Sequence, residues 1–194
     1  MIIYTVTIGI AVIIVFLLNL FFGMRIYDYS LLYVFLMTVI STALVIFIDG
    51  MIALIVNKLP KKWFNFRYKR FKIFKWERKF YEFFKIKKWK DHTPELGQLA
   101  NFRKNKVLNP TDNKYIEKFL EECCVGEIVH LVSIFLGYLI IFLKPKYWLF
   151  FGIPVATTNA FLNYLSYMIL RYNRPKLLTL YKRNERTNRG VINE

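Results

Sequence analysis

Glu127 and His130 stand three apart in the run Glu127-Ile128-Val129-His130, so on a helix they share one face. An acid beside an imidazole has two chemical uses. As a general base, His130 could take a proton from an alcohol while Glu127 orients the ring and stabilises the imidazolium. As Glu-x-x-His, the pair is half of a di-iron ligand set, but that set needs a second such motif and further carboxylates, and the sequence holds one. The plain alternative is an interfacial polar pair capping a helix. A second cluster is Arg171-Tyr172-Asn173-Arg174-Pro175. Its two guanidiniums can each grip a phosphate or carboxylate through paired hydrogen bonds, Asn173 sets a short amide between them, and Pro175 predicts a sharp exit from the helix. The alternative is a pair of cations snorkelling to a membrane interface as a stop signal. Asn163, two turns earlier, and Asp49, inside an apolar run, are polar groups that hydrocarbon surroundings oblige to find partners. An acid so placed is either functional or hydrogen-bonded to a neighbouring helix.

The elements that must position these groups follow from composition. Of 194 residues 56% are hydrophobic and 19% aromatic, yet 29 Lys and Arg face 13 Asp and Glu, a net charge of +16. Globular chains are roughly 45–50% apolar, so the excess requires a greasy part and a basic part rather than a soluble basic domain. Eight glycines and six prolines exclude linker-rich or low-complexity architectures. The two cysteines, adjacent at Cys123 and Cys124, cannot build a disulfide framework or a four-ligand zinc site and are expected as reduced, apolar filler. No internal repeat is visible.

The expected fold class is an all-α integral membrane protein with four transmembrane helices plus a basic, aromatic-rich interfacial helical segment. The first helix covers 1–24, its charge-free run from Ile2 to Phe22 being long enough for a hydrocarbon core of ~30 Å; nothing basic precedes it, so it reads as a span rather than a cleaved signal. The second covers 31–56, the third 127–143 and the fourth 147–170. Between the second and third lies 57–126, a cytoplasmic interfacial segment and loop, and 171–194 is a basic cytoplasmic tail. Lys58 to Lys90 holds fourteen Lys or Arg and two Glu interleaved with aromatics such as Trp63, Trp76 and Trp89. Such a mixture suits the headgroup level, where cations meet anionic lipid and aromatic rings settle at the hydrocarbon boundary. Stacking aromatics and cations also serve single-stranded nucleic acid, but a segment bracketed by spans already lies at a membrane, so no nucleic-acid partner is expected. A helix is expected from Asp112 to Gly126, capped by Thr111 or Asp112. Four spans put both termini on one side, and the positive-inside rule makes that side cytoplasmic, in a multi-pass protein of the cell membrane.

In chain order, Trp76-Glu77 with Tyr81, Ile86-Lys87-Lys88-Trp89-Lys90-Asp91, Pro94, Glu121, Glu127-x-x-His130, Asn163 and Arg171-Tyr172-Asn173-Arg174-Pro175-Lys176-Leu177 resemble the glycosyl-diaponeurosporenoate acyltransferase family, small membrane enzymes that place a fatty acyl chain on a sugar hydroxyl of a carotenoid glycoside. The likeness covers roughly Asn57 to Asn188. It implies acyl transfer at the membrane surface, with a lipid-linked sugar as acceptor, membrane lipids as surroundings, and acyl-CoA or an acyl carrier protein as donor. No resident cofactor or metal is expected. On this reading His130, oriented by Glu127, deprotonates the sugar hydroxyl. Arg171, Asn173 or Arg174 holds a donor phosphate or the developing oxyanion. Asn163, Trp89, Lys90, Asp91, Glu77 and Asp49 complete the expected substrate site. With no Gly-x-Ser-x-Gly elbow, direct transfer without an acyl-enzyme is the simpler route. Two rivals remain: a non-enzymatic four-helix module binding anionic lipid or a partner enzyme, and a metal-dependent lipid enzyme with Glu127 and His130 as ligands.

Overall fold

The computed structural model describes residues 2–90, 107, 109–143 and 148–192, with the side chains of 2–4 and 188–192 left out. Among them every regular element is helical. In chain order these are α1 (Ile2–Leu18), a π-helical turn (Asn19–Gly23), α2 (Met24–Tyr27), α3 (Leu31–Lys58), 3-10 turns at Lys61–Phe64 and Lys69–Phe71, α4 (Lys75–Phe83) and α5 (Ile86–Trp89). Then come α6 (Asn113–Leu136) with a 3-10 continuation (Gly137–Leu143), a second π-helical turn (Trp148–Gly152) and α7 (Ile153–Ile192). The chain divides into two compact units, Met1–Asn57 with Val129–Leu165, and Lys58–Ile128 with Ser166–Glu194.

The first unit is apolar and packs around Val34, Met37, Val45, Ile140, Phe151, Val155 and Ala156. Large side chains nevertheless stay outside: Ile10, Ile13, Phe21, Leu32 and Phe47 are each more than half exposed. Exposure of this kind is unfavourable in water and neutral in hydrocarbon, where the chain's own helices satisfy every backbone group. The hydroxyls of α3 obey the same demand, since Thr38 donates to Val34 O at 2.8 Å and Thr42 to Thr38 O at 2.8 Å.

One short motif occurs twice. Leu20-Phe21-Phe22-Gly23 and Leu149-Phe150-Phe151-Gly152 share one tetrapeptide, and each ends a π-helical turn. Buried Asn19 ties the two together, its Nδ2 donating to Val15 O at 2.8 Å and to Phe150 O at 2.7 Å. A side chain at either glycine would crowd its neighbours. A Cβ on Gly23 would come within 2.9 Å of Asn19 Oδ1, and one on Gly152 within 3.0 Å of Ile141 Cα.

Among the described residues three helices are long and apolar enough to cross a membrane, Thr5–Tyr27, Leu31–Lys58 and Asn113–Leu143. The run expected at 147–170 is helical from Trp148 on, but Thr157, Thr158, Asn159, Asn163 and Ser166 dilute its apolarity. Next, no helix ends at the limit drawn between Gly126 and Glu127, although the two units divide two residues on, after Ile128. One helix runs through it from Asn113, begun as expected by Asp112, whose Oδ1 accepts from the N–H groups of Lys114 (2.9 Å) and Tyr115 (3.2 Å). Last, Pro175 does not end a helix; it lies inside α7, which continues to Ile192. The missing N–H costs one helical hydrogen bond, and the charged anchors at Arg171 and Arg174, described below, hold the chain helical across the gap.

The second unit buries Phe64, Phe66, Phe71, Tyr81 and Ile86 of the basic segment with Ile116, Phe119, Leu120 and Cys124 of α6 and Met168, Leu177 and Tyr181 of α7. The segment expected as interfacial and helical is built of several short helices. α4 ends at Phe83, and two residues on Lys85 takes a left-handed conformation (φ 50°), a shape that glycine adopts more cheaply.

Candidate functional site

Two polar clusters are buried, one in each unit. In the second unit, Glu77 closes the first turn of α4 by accepting the Phe74 N–H at Oε1 (3.2 Å), and Tyr81, one turn on, donates to Oε2 (2.9 Å). Arg171 meets the same carboxylate with a side-on fork, Nε to Oε2 at 2.7 Å and Nη2 to Oε1 at 2.7 Å. Its Nη1 donates to Glu127 Oε2 at 3.1 Å and Nη2 also to Lys72 O at 3.1 Å. Arg174, three residues on and hence on the same face of α7, pairs with Glu127 Oε1, donates to Phe71 O and approaches Cys124 Sγ at 3.5 Å. Exposure is 5% at Glu77, 2% at Glu127, 5% at Arg171 and 0% at Arg174. Desolvation of such charges is tolerable only because two acids face two bases and two donors reach the Lys72 and Phe71 carbonyls, while Arg174 Nε finds no partner among the described residues. Burial by itself would push the Glu77 carboxyl up, but the hydrogen bonds from Arg171, Phe74 and Tyr81 outweigh it and hold Glu77 below its usual range. Tyr81 moves the other way, raised by burial and by Glu77.

The first unit carries a different assembly. Asn163 Nδ2 lies 2.9 Å from Asp49 Oδ2, 3.1 Å from Asn159 O and 3.1 Å from Asn159 Oδ1, all acceptors. That fixes the amide orientation, so Asn163 Oδ1 must accept from His130 Nδ1, 2.8 Å away. His130 therefore carries a proton on Nδ1 and donates it to that amide oxygen. Asn159 adds a second amide to the carboxylate, Nδ2 to Asp49 Oδ1 at 3.3 Å. The order Asp49, Asn163, His130 reproduces the logic of a carboxylate orienting an imidazole, with an amide inserted between them.

Of the expected site residues, then, Glu77, Glu127, Arg171 and Arg174 come together in one cluster, and Asp49, Asn163 and His130 in the other. Both Glu127 oxygens face guanidiniums, and the ring nitrogen of His130 that Glu127 was expected to orient is bonded to Asn163. No side-chain hydrogen bond of half-buried Asn173 enters either cluster among the described residues. Trp89 donates its indole N–H to Phe84 O at 3.0 Å, bracing the turn between α4 and α5, and Lys90 follows it half-buried. Asp91 lies outside the described residues. Among those described, no three of His, Cys, Asp and Glu gather as a metal site would need.

Asn159 is the residue that sequence reasoning missed. Its signal was available, because Asn159 and Asn163 are four apart and must share a helix face. Gly137 was missed with it: a Cβ there would stand 2.6 Å from Asn159 Nδ2, so the glycine makes room for the amide.

Comparison with known proteins agrees with the resemblance. The glycosyl-4,4'-diaponeurosporenoate acyltransferase family model matches residues 60–183, more than half of the chain, and the chain belongs to that family. No curated protein and no solved structure matches. Asp49 falls before the matched region, whereas His130, Asn159 and Asn163 fall inside it.

Proposed function

We propose that this chain is a membrane-embedded O-acyltransferase that transfers a fatty acyl group to a hydroxyl of a lipid-linked sugar, at the cytoplasmic leaflet. Family membership supports the reaction class and the three apolar helices support the location. The observation that carries the mechanism is the hydrogen-bonded series from Asp49 through Asn163 to His130.

Nε2 of His130 takes the proton from the acceptor hydroxyl as its oxygen attacks the acyl carbonyl. The ester C–O bond forms, the donor's C–S bond breaks, and the imidazolium returns the proton to the leaving thiolate. Asn163 keeps the ring in the tautomer that leaves the Nε2 lone pair as base, and Asp49 holds Asn163 while its charge favours the imidazolium. A thioester donor such as acyl-CoA or an acyl carrier protein is anionic, and the fourteen cations from Lys58 to Lys90 would steer it. Arg171 and Arg174 we assign to holding the second unit, since Glu77 and Glu127 occupy their forks. The positive-inside rule supports a cytoplasmic location for the basic segment. With 153–170 of α7 as a fourth crossing, both termini join it there, and cysteine labelling at Lys72 and Thr187 would then report the same side.

Lipid mass spectrometry of cells with and without the gene tests the function. An acylated glycolipid that disappears with the gene, and that His130→Ala fails to restore, is the expected result. An unchanged lipid profile would overturn the proposal.

A further inference from the structure

α4 presents three different edges. Glu77 and Tyr81, four apart, form the buried edge bound to Arg171. On one side of it Trp76, Phe80 and Phe83 recur at helical spacing, and Trp76 and Phe83 are 66% and 79% exposed. On the other side Lys75, Arg78, Lys79 and Glu82 are exposed. A nine-residue helix cannot keep two large aromatic rings in water without a reason, and its buried charged edge leaves it no freedom to roll them inward. Phe84, whose ring touches those of Phe80 and Phe83, is 47% exposed at the end of the helix, so the aromatic strip extends past its C-terminus. The charge of the surroundings points to the occupant. Lys58 to Lys90 carries fourteen cations and two acids, and it begins where the apolar helix Leu31–Lys58 ends, within chain reach of a bilayer boundary.

We propose that α4 lies in the plane of the membrane surface, with the Trp76 and Phe83 flank sunk among the acyl chains and Lys75, Arg78 and Lys79 against anionic phospholipid headgroups. The bond network at Glu77 fixes the helix at that rotation. The lipid surface is a standing partner of the fold, bound whether or not any acyl donor is present.

The test uses the full chain in nanodiscs. Phe83→Cys and, as a control, Arg78→Cys each carry a nitroxide; both positions are exposed, so labelling removes no buried contact, and Cys123 and Cys124 are buried away from the reagent. In discs containing phosphatidylglycerol, position 83 should show an oxygen-to-nickel accessibility ratio severalfold above that of position 78, the mark of a label in hydrocarbon. Replacing phosphatidylglycerol by phosphatidylcholine should shift the position 83 label outward, and Lys75→Gln with Lys79→Gln should abolish that lipid difference. Equal, water-like accessibility at both positions in anionic discs overturns the proposal. So does burial of position 83 that occurs only on adding acyl-CoA, which would make the strip a donor site instead.

Discussion

The two buried clusters differ in how their charges are balanced. In the second unit each carboxylate faces guanidinium, the charges sum to zero, and nearly every donor is bonded. In the first, one carboxylate is met by two neutral amides, and the amide series ends on an imidazole. An ion network of matched buried charges serves to hold helices in place, since removing either partner strands the other. An assembly with an amide-bound acid and a titratable ring can move a proton at small cost, which is what transfer chemistry needs. Under the proposed mechanism, the second unit's cluster serves stability and the first unit's cluster serves proton transfer.

Breaking the ion network should cost most. Glu127→Gln leaves Arg174 and Arg171 undercompensated in a buried site, and the penalty for removing one partner is about 3–5 kcal/mol. It should be visible as poor recovery and a large loss of melting temperature in detergent. Acid should do the same by degrees. The folded pKa of Glu77 is depressed, so its contribution is complete above the ordinary value of 4.5 and is lost as pH falls from there through the folded value; melting temperature measured against pH should turn down in that window. His130→Ala, conversely, should lower turnover by a factor of ~10²–10⁴ with melting nearly unchanged. Near-normal turnover in that variant would end the base assignment.

A finer separation comes from Arg174→Lys, which keeps the charge but loses the fork. It should cost ~1–3 kcal/mol of stability with the donor KM unchanged, whereas a raised KM without instability would make Arg174 a donor clamp. Gly137→Ala should push Asn159 away from its amide partner and lower turnover more than it lowers melting temperature. The smallest effect is expected at Lys85→Gly, where relief of a left-handed backbone should stabilise by at most ~1 kcal/mol without touching activity.

Much of this molecule is local and therefore legible in the sequence. The apolar runs, the basic aromatic segment and the Asp112 cap are set by hydropathy and by short-range bonding, which neighbours along the chain decide. Glu127, His130, Asn163, Arg171 and Arg174 stood out because a polar group in an apolar run must be bonded to something. Their partners could not be read. Glu127 and His130 share a helix face, yet Arg171, 44 residues away, takes a Glu127 oxygen, and Asn163, 33 residues away, takes the His130 ring. Helix packing chooses among acceptors of similar strength by distance, and distance across a fold is not a property of spacing along a chain. Pro175 shows the same division. Its local preference was to end a helix, and the two buried charges of the turn before it overrode it, because two desolvated guanidiniums hold a backbone more firmly than one missing hydrogen bond loosens it.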